Sequence, residues 1–327
     1  IEKEFHDYYR EILEGQDPFD PKLFYDFIAD CRNHFKQIPD QARTCIEGEI
    51  TQGELDLAVG KIRSEAAPGP DGVTGSLLRY LYSRFPKLFL QATNEEILQG
   101  KCNGKEIMQR KLIFLEKQQS KRECIKKYRP ISLISAVLKV ADATIVNRIV
   151  SSLHNNNILP GYVCAYRRGF STLDGILTLK CFIENAKKFD KKLLMLNWDL
   201  SAAFDKCSKL LTQECLKILG FSDFVIQSLL KLPISAIAKL CINFCETRFP
   251  WLQVLSGWPQ GMSSSAHGFQ LAMFCLLLKL EHADIDGYKI KLYLNEKKGK
   301  RNFFIHQESV KIKNENPRPV SYTHLRA

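Results

Sequence analysis

The 327 residues are 45% hydrophobic and 25% charged, ordinary for a globular protein and enough for one large core or two modest ones. The formal net charge of +11 favours a polyanionic partner such as nucleic acid, though a Lys-rich solvated surface gives the same sum. Eleven scattered cysteines, of which only Cys241 and Cys245 are close, leave no zinc-ligand pattern and read as free thiols of a reducing intracellular compartment, nuclear or cytoplasmic. The opening Ile1-Glu2-Lys3-Glu4 is polar and lacks Met, so it reads as neither a signal peptide nor a natural start. No membrane is expected as a partner, because the longest apolar stretch, Phe269–Leu278, is too short to span a bilayer.

In chain order, Phe5, Tyr8, Tyr9 and Ile12 fall at helical spacing, and so do Leu23, Phe24, Phe27 and Ile28. Thr51-Gln52-Gly53-Glu54 reads as a capping box that opens a further helix. Ala67-Pro68-Gly69-Pro70-Asp71-Gly72 breaks it, and a helix follows over Val73–Phe85. Lys111–Lys117 reads as a strand and Tyr128–Leu133 as an extended segment. Helices are expected over Val137–Leu153 and Leu173–Lys187. Leu193–Asp199 reads as a strand, followed by a helix over Lys209–Leu219 that Gly220 caps. Another helix covers Phe224–Leu230, and Ile234–Phe244 with Trp251–Leu255 suits a hairpin. Helices and strands mix without regular βαβ alternation, which argues for an α+β class.

The chemistry sits in a few strings. Leu196-Asn197-Trp198-Asp199-Leu200-Ser201-Ala202-Ala203-Phe204-Asp205 ends an apolar strand on a carboxylate, with an aromatic five positions later. Ser256-Gly257-Trp258-Pro259-Gln260-Gly261 combines a turn with a glycine that lets backbone approach closely. Upstream stand Tyr128-Arg129-Pro130-Ile131-Ser132-Leu133 and Ala165-Tyr166-Arg167-Arg168-Gly169-Phe170-Ser171-Thr172. Taken alone, each has a plain reading: a capped turn, a core Phe, a surface Arg pair. In this order they resemble the reverse transcriptases of non-LTR (LINE-like) retrotransposons, over about residues 5–290.

That resemblance implies a right-hand polymerase fold: fingers plus a partial palm, an N-terminal helical extension, and no thumb. The divisions it implies are 1–65 for the extension, 66–190 for fingers and the start of the palm, and 191–293 for the palm with motifs A and B. Residues 294–318 are an incomplete or degenerate motif C region, and 319–327 read as an adapter-derived artefact. The implied activity is RNA-directed DNA polymerization by two-metal nucleotidyl transfer, with an RNA template, a DNA primer or target and deoxynucleoside triphosphates as partners. Two Mg²⁺ ions are the expected cofactor, held by Asp199 and the backbone carbonyl of Leu200. Lys117, Arg129, Phe204, Gln260 and Gly261 are the implied contacts of the incoming nucleotide, Phe204 as the gate against a 2′ hydroxyl. Arg167 and Arg168 are the implied nucleic-acid contacts. The block holding them departs from the family pattern at Ala165, Tyr166 and Phe170. Asp205 reads as structural, or as a cap for the segment after it.

Motif C, a Tyr- or Phe-x-Asp-Asp hairpin, is missing, since no Asp follows Asp286. Its usual spacing lands near Phe303-Phe304-Ile305-His306-Gln307, and Tyr293-Leu294-Asn295-Glu296 is a weaker look-alike. Either the motif is eroded, or Val310-Lys311-Ile312 leads into it and the sequence stops short; on both accounts this fragment is expected to be inactive. Two other readings stand beside the enzyme: a catalytically dead nucleic-acid-binding remnant, and a group II intron-type reverse transcriptase or maturase.

Overall fold

The structure is a computed structural model that describes residues 2–15, 20–98, 109–116, 125, 128–193, 195, 197, 199–200, 202–234, 237–242, 245–282, 291–297 and 300–306. It contains two compact units, residues 1–159 with 201–275, and residues 160–200 with 276–327. Lys117, Gln307 and Val310-Lys311-Ile312 lie outside the described residues.

The first unit opens with the helices α1 (Glu2–Glu14), α2 (Pro21–Arg32), α3 (Asp40–Glu47) and α4 (Gln52–Gly60). Asp20 caps α2 by accepting from the Lys22 amide at 2.8 Å, with Pro21 in the first turn. Thr51 and Glu54 close the expected capping box on α4. After the Pro/Gly break, α5 (Gly75–Arg84) starts two residues later than the sequence suggests, because the Thr74 hydroxyl accepts from the Leu77 amide and sets the first turn. α6 (Pro86–Ala92) then runs into a π-helical turn over Thr93–Leu98.

A mixed sheet follows. Its strands are β1 (Gln109–Glu116), β2 (Tyr128–Ile134), β3 (Ile237–Ile242), β4 (Cys245–Glu246) and β5 (Leu252–Gln253), in the order β2-β1-β3-β4 with β5 also on β3. β1 runs antiparallel to β2, Leu112 opposite Ser132, and parallel to β3, Arg110 opposite Ala238. β3 and β5 pair antiparallel, as the expected hairpin requires, with β4 inserted between them in sequence.

Alternation along β1 points Arg110 and Leu112 to one face, and α1 covers it. Phe5, Tyr9 and Leu13 pack there with Leu112, Ala238, Leu240, Leu252 and Val254. Burying each Leu or Phe contributes about 1.5–3 kcal/mol. The end of α1 is also tied by its backbone, since the Leu255 and Ser256 amides donate to the Leu13 carbonyl at 2.8 and 3.0 Å.

Four more helices carry the first unit's core or run into it: α7 (Ala136–Asn155) and, beyond α8 (Thr172–Lys188) of the second unit, α9 (Lys209–Leu219), α10 (Asp223–Ile234) and the start of α11 (Ser263–His282). Arg148 of α7 grips the α3–α4 connection. Its Nε and Nη2 donate to the two Glu54 carboxylate oxygens at 2.6 and 2.8 Å, and further bonds reach the carbonyls of Ile46, Gly48 and Glu49. Gly220, at φ 88°, ends α9 in the left-handed conformation foreseen for it. Asp142 of α7 is buried and accepts from the Ser264 amide at 3.0 Å, satisfying a donor in the first turn of α11.

In the second unit, Ser171 and Asp174 form a capping box on α8. β6 (Lys291–Lys297) and β7 (Lys300–His306) form an antiparallel hairpin with Tyr293 opposite Phe304. The expected strand over Leu193–Asp199 does not form among the described residues. Leu194, Leu196 and Trp198 of that segment lie outside the described residues.

Candidate functional site

Three segments far apart in sequence meet at one edge of the first unit's sheet. β2 lends its outer side: the Ser132 amide donates to the Gln260 carbonyl at 2.8 Å. A Cβ on Gly261, whose φ is +135°, would come within 2.7 Å of the Ser132 carbonyl, so only glycine lets the two backbones close. The turn over residues 202–206 supplies the third segment, where the Phe204 carbonyl accepts from the Trp258 amide at 2.8 Å. Gly257, at φ +73°, lies so close to the Asp205 backbone that a side chain there would collide with it. The Ser265 hydroxyl donates to the Pro259 carbonyl at 2.5 Å and fixes the same turn to the start of α11.

Among the expected nucleotide contacts, Phe204, Gln260, Gly261 and Arg129 therefore belong to this one unit. The Phe204 ring is braced against Phe269 of α11, with centroids 5.2 Å apart. Arg129 is exposed on β2, on the strand face opposite to buried Pro130 and Ser132. Gln260 donates its side-chain amide to the Asp205 carboxylate at 3.4 Å. Asp205 is no helix cap; Ser208 performs that task for α9, accepting from the Leu211 amide at 3.2 Å.

Behind Gln260 lies a small cleft lined by Tyr9, Arg110, Ser132, Asp205, Trp258 and Gln260, among others, with free volume of about 10 Å³, room for no more than one water. Arg110 is only 3% exposed, and its Nε and Nη1 have no hydrogen-bond partner. Burial lowers its pKa to about 10, against the opposing pull of Asp205. Burial, and then the Asp205 charge, push the Tyr9 hydroxyl upward. Sequence reading missed Tyr9, Arg110 and Trp258. One signal was available for Arg110: it shares the strand phase of Leu112, and a charge on a core-facing phase needs a partner.

The second unit holds Asp199, Leu200, Arg167 and Arg168. Asp199 and Leu200 are exposed, in irregular backbone. Arg167 is engaged within its own loop: Nη1 donates to the Pro160 carbonyl at 2.6 Å, and the guanidinium lies 4.2 Å from the Phe170 ring centre. Arg168 is exposed. The β6–β7 hairpin covers the region where motif C was sought, and neither strand contains Asp.

The family description "Reverse transcriptase (RNA-dependent DNA polymerase)" matches residues 115–294, more than half of the chain. The chain belongs to the reverse transcriptase family. It is 24% identical, over 60% of its length, to a retrovirus-related Pol polyprotein from the type-1 retrotransposable element R1 of Bradysia coprophila. It is 27% identical, over 47% of its length, to a probable RNA-directed DNA polymerase from transposon BS of Drosophila melanogaster. Both relatives come from non-LTR elements, and this reverse transcriptase chain spans only 19% and 17% of their respective lengths.

Membership implies the polymerase fold, a nucleic-acid template, nucleotide substrates and divalent metal ions. Among the described residues no helix is long and apolar enough to cross a membrane, and no group of three or more His, Cys, Asp or Glu is gathered to hold a metal. One exposed carboxylate and a neighbouring carbonyl do not make up the donor set for two Mg²⁺ ions. The described residues thus do not fit the pair. What they bring together is an aromatic, a side-chain amide and a glycine-permitted backbone approach.

Proposed function

We propose that the chain is the fingers and partial palm of a non-LTR retrotransposon reverse transcriptase, an enzyme that copies RNA into DNA from a DNA primer. The convergence of β2, the 202–206 turn and Pro259-Gln260-Gly261 carries this reading, because these segments are joined through backbone contacts that glycines permit. In this reading Phe204 gates the sugar, Gln260 and Gly261 form the floor under the nucleotide, and Arg129 with Lys117 takes the triphosphate. In a completed site Asp199 and the Leu200 carbonyl would be the Mg²⁺ ligands, and Arg167 and Arg168 line the nucleic-acid path, with Arg168 the more exposed of the two. The proposed divisions are 1–65 as extension, 66–190 as fingers and the start of the palm, 191–293 as palm with motifs A and B, and 294–318 as an incomplete or degenerate motif C region. The protein works in a reducing intracellular compartment. The transposon origin of the relatives favours this reading over an intron maturase.

Binding and synthesis separate here. The purified chain should bind an RNA template–DNA primer duplex, measured by fluorescence anisotropy, with affinity that falls steeply as salt rises. Arg129→Ala should weaken the Mg²⁺-dependent retention of a deoxynucleoside triphosphate on that complex by about tenfold, the loss of one bidentate phosphate contact. Primer extension by the chain should be undetectable. No duplex binding at low salt overturns the proposal, and robust Mg²⁺-dependent extension overturns its inactive-fragment part.

A further inference from the structure

Arg110 is the least expected residue beside the Gln260 turn. It lies on β1, 3% exposed, on the face covered by α1, and two of its nitrogens lack partners. A guanidinium is not left in such a place without compensation, since an unpaired buried charge costs several kcal/mol. The Asp205 carboxylate lines the same cleft, and its charge acts on Arg110. The same carboxylate accepts from the Gln260 side-chain nitrogen at 3.4 Å.

These three facts form a chain of causes. An ionised carboxylate can only accept hydrogen bonds, so it admits one of the two orientations of a facing primary amide, the one that turns the NH₂ group inward. The amide oxygen is then directed away from Asp205. A neutral group at 205 loses that selectivity, because a carboxylic acid or an amide can donate as well as accept.

We propose that Arg110 is a positioning residue for Gln260: its buried guanidinium holds the Asp205 carboxylate in place beneath the Pro259-Gln260 turn, and the carboxylate fixes the Gln260 amide with its oxygen presented outward. The consequence, which rests on the nucleotide reading of this site, concerns specificity. Gln260 offers a bound nucleotide an acceptor, suited to a hydroxyl or N–H donor, rather than a pair of donors. Arg110 touches no substrate; it acts only through Asp205.

Selective ¹⁵N-glutamine labelling of the 327-residue chain tests this directly, with the Gln260 side-chain pair assigned by its loss in Gln260→Met. In the unaltered chain that pair should exchange with solvent at least about tenfold slower than exposed glutamines do. Arg110→Gln should bring it to the exposed rate, and Arg110→Lys should restore most of the protection. If Arg110→Gln leaves Asp205 uncompensated and fails to fold, the double variant Arg110→Gln/Asp205→Asn removes both charges. It should fold, by circular dichroism, and still lose the protection. Protection unchanged in the folded double variant overturns the proposal, as does a Gln260 pair in the unaltered chain that exchanges like an exposed one. Adding a deoxynucleoside triphosphate with Mg²⁺ and primer–template to the same sample reads the site's function separately. A Gln260 pair that is protected yet unmoved by nucleotide counts against the nucleotide reading alone.

Discussion

The Ser132 amide reaches the Gln260 carbonyl at 2.8 Å, joining the Tyr128–Leu133 string to the Pro-Gln-Gly string by one backbone bond. Since the partners are main-chain atoms, the bond does not depend on either side chain. It depends on Gly261, which makes room for the approach.

Gly261→Ala should therefore act as a site-wide lesion. The new Cβ meets a backbone oxygen at 2.7 Å, and the φ of +135° is strained for any L residue. Equilibrium urea unfolding should show a loss of about 2–3 kcal/mol. Gln260→Ala, which keeps the backbone bond, should cost under about 1 kcal/mol.

Asp142 makes stability depend on pH. Burial raises its pKa from 3.8 to about 6, against the bonds from Ser264 and Ser263. The folded chain therefore holds a proton that the unfolded chain releases between those values. The resulting stabilisation is complete below 3.8 and is lost as pH rises through about 6. Its size is on the order of 3 kcal/mol. Asp142→Asn should flatten this part of the pH profile, as read from unfolding midpoints between pH 4 and 6.5.

Glu54 has the opposite sign. The Arg148 hydrogen bonds, aided by Thr51, hold its carboxyl down to about 2, against 4.5 in the unfolded chain. This contribution is present above pH 4.5 and is lost as pH falls toward 2. After allowing for solvent screening of a partly exposed pair, it is worth about 1–2 kcal/mol. Arg148→Met should cost more, about 2–4 kcal/mol at neutral pH, because the carbonyls of Ile46, Gly48 and Glu49 lose their donor as well. Denaturation of Arg148→Met at pH 7 and pH 3 should show little difference attributable to Glu54.

Ala202 stands at φ 52° within the turn that leads to Phe204 and Asp205. Ala202→Gly should be neutral or stabilising by up to about 1 kcal/mol, since glycine relieves the left-handed strain and loses some of that gain to chain entropy. Ala202→Val should lose about 1–2 kcal/mol, a β-branched residue being least suited to that region. Thermal unfolding of the two variants checks the order.

The thiols should divide by burial. Cys31, Cys215 and Cys275 are fully buried, and burial pushes Cys31 up to about 12. Cys45 and Cys245 are exposed. Peptide mapping after brief alkylation of the native chain should find the exposed pair modified and the buried three unmodified until denaturant is added.

Much of the architecture was legible because local signals agree with the fold. Thr51 with Glu54, Gly220 and the helical spacing of α7 and α9 each mark an element that forms where its residues suggest. The strand expected over Leu193–Asp199 falls partly outside the described residues, and the four described ones are irregular backbone. The glycine of Pro-Gln-Gly was legible as a close approach, though not what it approaches; Gly257 was not read that way. Tyr9 was read only as a helix-face residue and Arg110 not at all, because their place beside Gln260 arises from three elements meeting, and no window of sequence contains all three.

One contact described above bears on where the working module begins. Two amides on the way into Pro259-Gln260 are held by the carbonyl of Leu13, and the face of the sheet beneath is filled by Phe5 and Tyr9. The stretch that carries family likeness, residues 115–294, omits that helix altogether. A version trimmed to residues 115–294 would bare the apolar face of the sheet and release the Gln260 turn from Leu13, so the matched stretch is not by itself a packed unit.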